Sequence, residues 1–108
     1  MAFQVRTISP FDRQLKRLAK KYVSLRSEYA ALLDELEQTP TLGTGIGHNC
    51  YKIRLSIASK GGGKSGGARV ITYVQVVGET VYLLAMYDKS EQSSISDQEV
   101  LRLLGMLE

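Results

Sequence analysis

The sequence predicts an α+β domain: an N-terminal strand and a helical hairpin packed on a small, mostly antiparallel sheet, with a short C-terminal helix. Three observations carry that expectation. Apolar residues recur at helical spacing between residues 11 and 36, the period drops to two from residue 50, and a glycine-rich break, TLGTGIGHN, separates the two regimes. A chain of 108 residues holds one modest core, so residues 1–108 are read as a single domain.

Residues 3–8, FQVRTI, alternate as a short first strand. Ser9-Pro10-Phe11-Asp12 then opens a helix, with Ser9 as the expected cap and Pro10 at the first helical position. Phe11, Leu15, Leu18, Ala19 and Tyr22 form its apolar stripe, which leaves Arg13, Lys16, Arg17, Lys20 and Lys21 mostly on other faces. Leu25, Tyr29, Leu32, Leu33 and Leu36 predict a second helix a few residues later, completing the hairpin.

Pro40 and the glycines of TLGTGIGHN end the helical region. GTGIG is too short for a dinucleotide fingerprint and precedes a strand, so it is read as a loop. In YKIRLSIA, Tyr51, Ile53, Leu55 and Ile57 point one way, and Lys52, Arg54 and Ser56 the other. ARVITYVQVV at 68–77 and TVYLLAMY at 80–87 supply two more strands, joined by a tight turn at Gly78-Glu79. Ser96-x-x-Glu99 is a capping box that opens the closing helix through Val100, Leu101, Leu104 and Leu107. The helices are expected on one face of the sheet.

Fourteen basic against eleven acidic residues give a net charge of +3, unevenly spread. Residues 50–89 carry six bases and two acids, whereas residues 90–108 carry one base and four acids. A basic centre on a small domain points to an anionic partner, nucleic acid first, or else to an ordinary soluble surface. The single cysteine, Cys50, cannot form an internal disulfide, and no Cys/His set has metal-ligand spacing. With neither a signal peptide nor a membrane helix evident at the N-terminus, a cytoplasmic protein without metal, nucleotide cofactor or membrane partner is expected.

The run ASKGGGKSGG fits a relaxed phosphate-loop spacing, with Ala58 in place of the first glycine before Gly63-Lys64-Ser65. A working phosphate loop must open a helix, whose N-terminal N–H groups hold the phosphates. Here the following residues, ARVITYV, read as strand, so an ATPase is rejected. Asp88, at the end of VYLLAMYD, has a superficial likeness to a magnesium-binding acid but lacks the parallel crossover units that would place it. The run is read as a flexible basic hairpin loop.

Lys52 and Arg54 share a strand face, and antiparallel pairing would bring Arg69 beside them, with Lys89 at their edge. Clustered cations are unfavourable unless an anion occupies the site, which hints at phosphate; the plain alternative is the wet face of a sheet.

CYKIRL, the glycine- and lysine-rich loop, SGGARVITYV and VYLLAMYDKSE, preceded by FDRQLKRLAKKYVSL, resemble the RelE/ParE superfamily of bacterial toxins, and more narrowly its RelE- and HigB-like branch. The resemblance covers nearly the whole chain. It implies a toxin of a type II toxin–antitoxin pair, neutralised by a cognate antitoxin, that cleaves mRNA on the ribosome without a metal. On the matching positions it implies a site at Lys52, Arg54 and Arg69, with Lys89 the most plausible match for the family's basic residue after the last strand. ParE-like members of the same fold instead inhibit DNA gyrase by binding, and an inactive binding module is a third alternative.

Metal-free RNA cleavage needs a base for the 2′-hydroxyl, charge stabilisation at the phosphate and an acid for the leaving 5′-oxygen. Arg54 and Arg69 suit the phosphate through their planar forks of donors. Lys52 is the candidate base if neighbouring cations favour its neutral form. Family nucleases often carry a tyrosine near the C-terminus, and this chain has none after Tyr87, which is read either as a site residue or as core. His48 is read as an exposed loop residue, with catalysis the lesser alternative. Lys60 and Lys64 are expected to hold RNA backbone.

Overall fold

The structure is a computed structural model, and it describes residues 2–61 and 66–107. Among the described residues the elements run in the order β1 (Gln4–Thr7), α1 (Ser9–Lys21), α2 (Leu25–Gln38), β2 (Thr44–Gly47), β3 (Cys50–Leu55), β4 (Ala68–Gln75), β5 (Thr80–Asp88) and α3 (Asp97–Leu104). The five strands form one sheet in the order β1-β5-β4-β3-β2. Only β1 is parallel to its neighbour; every other pairing is antiparallel.

The apolar stripes of the hairpin explain how the first layer forms. Phe11, Leu18, Leu25, Leu32 and Leu36 are fully or almost fully buried against Ile53, Val70, Val81, Leu83 and Met86 of the sheet. Each such side chain stabilises the fold by about 1.5–3 kcal/mol relative to exposure. A second cluster lies on the opposite sheet face, where Val100 and Leu103 of α3 meet Cys50, Ile71, Leu84 and Tyr87. The helices therefore cover both faces, not one as expected: the period-two strands are apolar on both sides at their centre, and each side needs its own cover. Leu103 makes the inward contact of α3, and Leu101 stays 48% exposed.

Three local expectations are also corrected. Thr44–Gly47 of GTGIG form the edge strand β2, closed by His48 and Asn49 at φ 57° and 60°, the pattern of a two-residue type I′ hairpin turn. Glycine masks strand character in sequence, and pairing with β3 overrides it. Helix α1 is capped by Ile8 with no side-chain cap bond, because Ile8 stays extended and its carbonyl accepts from the N–H of Asp12 (3.1 Å), so Ser9 falls inside the first turn. The β4–β5 connection takes four residues, Val76–Glu79, with positive φ at Gly78 and Glu79. At α3 the cap is as expected, since Ser96 Oγ accepts from Glu99 N–H (3.0 Å), although the Glu99 carboxylate turns to Arg102.

One irregularity in β5 sets which residues share a face. Thr72 opposes Leu83 and Ile71 opposes Ala85, so Leu84 is an extra residue bulged between them. Among the described residues no helix is long and apolar enough to cross a membrane.

Candidate functional site

The candidate site lies at the end of the sheet away from the β4–β5 turn. Register sets Arg54 of β3 opposite Arg69 of β4, and Arg69 opposite Tyr87 of β5, giving one row across three strands. The neighbouring row on the same face is Lys52, Ile71 and Ala85. Directly opposed Cβ atoms in such a ladder stand about 5 Å apart and diagonal ones about 7–8 Å, so Lys52 is within side-chain reach of Arg69. Neither row contains a carboxylate.

Exposure falls along the row. Arg54 is exposed and Lys52 half-buried, whereas Arg69 and Tyr87 are each 5% exposed. Arg69 donates from Nη1 to the carbonyl of Ala68 (3.1 Å). The Tyr87 hydroxyl is buried with no hydrogen-bond partner among the described residues. Burial pushes that phenol above its usual range, and the neighbouring Arg69 cation pulls it partly back, which keeps it protonated and records the closeness of the two groups.

Two depressions flank the row. Tyr87 lines a hollow of about 370 Å³ between α1, β5 and α3, whose walls include Arg13, Arg17 and Arg102. Arg17 pairs there with Glu91 (2.8 Å) and Arg102 with Glu99 (2.7 Å). A larger groove of about 990 Å³ follows β3 beyond Lys52, where pairing with β2 stops; Lys52 and Arg54 line it, and Glu28 and Glu35 of α2 stand on its far side.

The remaining sequence-predicted residues fall elsewhere. Lys89 follows β5 directly; its backbone N–H donates to the Gly67 carbonyl (3.1 Å) and its Nζ to that of Ser93 (2.9 Å). His48 occupies the β2–β3 turn, four residues along the ladder from Lys52 and 3.5 Å from Asp97 at the start of α3. Lys64 lies outside the described residues. Lys60 turns inward: its Nζ donates to Asp88 Oδ1 (2.6 Å) and to the carbonyl of Gly66, and its side chain is only 15% exposed.

Asp88 is the feature sequence reasoning missed. Fully buried, it accepts from Tyr22 Oη (2.7 Å), Lys60 Nζ, and both N–H (2.9 Å) and Oγ (2.7 Å) of Ser90. Burial alone would raise its pKa, but these donors together outweigh that and hold the carboxyl well below the usual range. The available signal was a charged residue ending an otherwise apolar strand. The loop base is equally fixed: Glu28 accepts from Ala58 N–H (2.7 Å), and Ser24 and Ser59 exchange bonds from each other's N–H to Oγ. Residues 58–60 of the stretch expected to be flexible are thus anchored, and residues 62–65 of it lie outside the described residues.

Among the described residues no three His, Cys, Asp or Glu side chains group to hold a metal. Cys50 is buried and its thiol is pushed up to about 11 by burial, which makes it a packing residue and not a nucleophile. The row therefore offers donors and positive charge, suited to an anion whose charge grows during reaction.

The family model of the RelE toxin of the RelE/RelB toxin–antitoxin system matches residues 11–106. Among solved structures, a mutant of the E. coli toxin RelE in the free state is similar at a TM-score of 0.62 and 17% identity, covering 86% of this chain and 90% of that one. The toxin–antitoxin complex RelBE2 from Mycobacterium tuberculosis gives 0.61 and 16%, covering 82% and 99%. The isolated E. coli RelE toxin gives 0.61 and 16%, covering 98% and 100%. At these identities the solved structures speak for the fold.

Proposed function

The chain belongs to the RelE toxin family, and from that premise we propose that it is a ribosome-dependent mRNA endonuclease that cleaves by attack of the substrate's own 2′-hydroxyl. The observation that carries the reading is the row Arg54–Arg69–Tyr87 with Lys52 on its diagonal: three cations and a neutral phenol on one sheet face with no carboxylate in register. Two guanidinium forks and an ammonium brought to one face match the several oxygens of an RNA phosphate.

In this reading the open Arg54 meets the phosphate first, and Arg69 binds it from beneath. Lys52, having given its own proton to solvent, accepts the 2′-hydroxyl proton as a neutral amine. The 2′-oxygen bonds to phosphorus, the bond from phosphorus to the 5′-oxygen breaks, and Tyr87 returns a proton to that oxygen. Most of the acceleration is electrostatic, because the donors are fixed before the phosphate gains charge. The ribosome supplies the geometry of the RNA. Lys89, two residues beyond Tyr87, adds positive charge at the edge, and Lys64 contacts RNA backbone.

The partner that neutralises the toxin is an antitoxin. An acidic amphipathic helix that covers the basic face, or that takes the place of α3 over Ile71 and Leu84, has the chemistry to do so.

The test is induced expression with and without the antitoxin, followed by primer-extension mapping of translated mRNAs. The expected result is discrete cleavage within translated codons, lowered about 10²–10³-fold by Arg69→Ala. Growth arrest with intact mRNA and blocked DNA supercoiling would overturn the reading in favour of gyrase binding.

A further inference from the structure

We infer that Lys60 is a positioning residue for Arg69, acting through the buried carboxylate of Asp88 and the carbonyl of Gly66 to fix the point at which the chain turns into β4. The activity consequences rest on the endonuclease reading; the placement of Arg69 does not.

The chain enters β4 through Gly66 and Gly67, which have no side chains with which to anchor themselves. Gly67 also approaches β3 so closely that a Cβ there would stand 2.1 Å from the Leu55 carbonyl oxygen. Among the described residues, two bonds hold this turn to the rest of the molecule: Lys60 Nζ to the Gly66 carbonyl, and Lys89 N–H to the Gly67 carbonyl (3.1 Å). Arg69 is two residues further on.

Lys60 is itself fixed from both sides. Its Nζ is held by Asp88, which stands opposite Ala68 and next to Tyr87, so the ion pair lies one register position from the row. Its backbone follows Ala58 and Ser59, which are tied to Glu28 and Ser24 at the α1–α2 junction. The Tyr22 ring lies 5.9 Å from the same ammonium. Loss of Lys60 frees the Gly66 carbonyl and leaves Asp88 without the ammonium that ties it to the turn. Both effects act on the placement of Arg69 and neither touches substrate.

The experiment compares wild type, Lys60→Met and Lys60→Arg in ribosome-bound mRNA cleavage. Lys60→Met is expected to lower kcat by about tenfold to a hundredfold with KM within about twofold, and Lys60→Arg to recover part of the loss. In an Arg69→Ala background Lys60→Met adds nothing further. Full activity of Lys60→Met, or a loss that adds in full to that of Arg69→Ala, overturns the inference. Lys60→Met combined with Asp88→Asn removes both buried charges while still depriving Gly66 of its donor; it serves if the single variant does not fold, with the same loss expected. If wild type cleaves nothing, the endonuclease reading has failed separately, and the Nε–Hε NMR signal of Arg69 decides. A shift of that signal in Lys60→Met, with the methyl signals of Leu32 and Val81 unmoved, supports the inference; an unmoved Arg69 signal overturns it.

Discussion

Arg69 stands directly opposite Arg54 across the β3–β4 ladder, two guanidinium groups sharing one sheet face. Arg54 is the exposed member, so its guanidinium is open to a ligand and contributes little to the packing of the sheet. Removing the exposed member should therefore separate stability from function. Arg54→Ala is expected to leave the thermal midpoint unchanged or slightly higher while lowering cleavage by about 10²–10³-fold. Differential scanning fluorimetry and single-turnover cleavage of ribosome-bound mRNA check the two halves.

Tyr87→Phe should move stability and activity in opposite directions. The hydroxyl is buried without a hydrogen-bond partner among the described residues, so deleting it should stabilise the fold by about 1 kcal/mol. If Tyr87 is the proton donor, cleavage should fall by about tenfold to a hundredfold in the same protein. Urea titration and cleavage rates measured on one preparation show whether the signs differ.

Asp88 gives the protein an acid-sensitive joint. Its carboxyl is held well below the usual range by Lys60, Ser90 and Tyr22 against the contrary pull of burial. A depressed folded-state value adds stability that is complete above the unfolded value, about 3.9, and is lost as pH falls from there through the folded value. Wild type should thus weaken steeply below about pH 4, and Asp88→Asn should flatten this dependence. At neutral pH Asp88→Asn should cost about 3–5 kcal/mol, because it leaves Lys60 buried without its counter-charge. Denaturant midpoints between acid and neutral pH test both statements.

His48→Asn should leave cleavage unchanged and raise stability by about 0.5 kcal/mol, since asparagine accepts a positive φ more readily than histidine. The imidazole's approach to Asp97 is exposed and long, at 3.5 Å, so removing it costs little. A fall in cleavage would place His48 in the site after all.

How much of the fold and the site is legible in the sequence depends on the range of the interactions involved. Lys52, Arg54 and Arg69 are legible because period two assigns a face and strands consecutive in sequence commonly pair. The strand in GTGIG is hidden because glycine contributes nothing to the pattern and the pairing with β3 supplies the order. The opposite placement of α3 turns on Leu103, whose inward direction is a matter of helix phase that Leu101 and Leu104 leave ambiguous. The Lys60–Asp88–Tyr22 network joins residues 22, 60 and 88, and no local spacing announces a contact over such separations.

The bulge at Leu84 bears on how this protein can change its length. Because β5 holds one residue more than β4 requires, loss of a single codon within the bulge can be absorbed by straightening the strand, with Arg69 still beside Tyr87. Gain of a codon between Leu84 and Tyr87 has no such outlet, since it would turn the tyrosine toward the helical hairpin and bring its neighbour to the arginines. Lineages descended from this chain should accordingly record deletions in β5 more often than insertions, at the expense of some packing against α3.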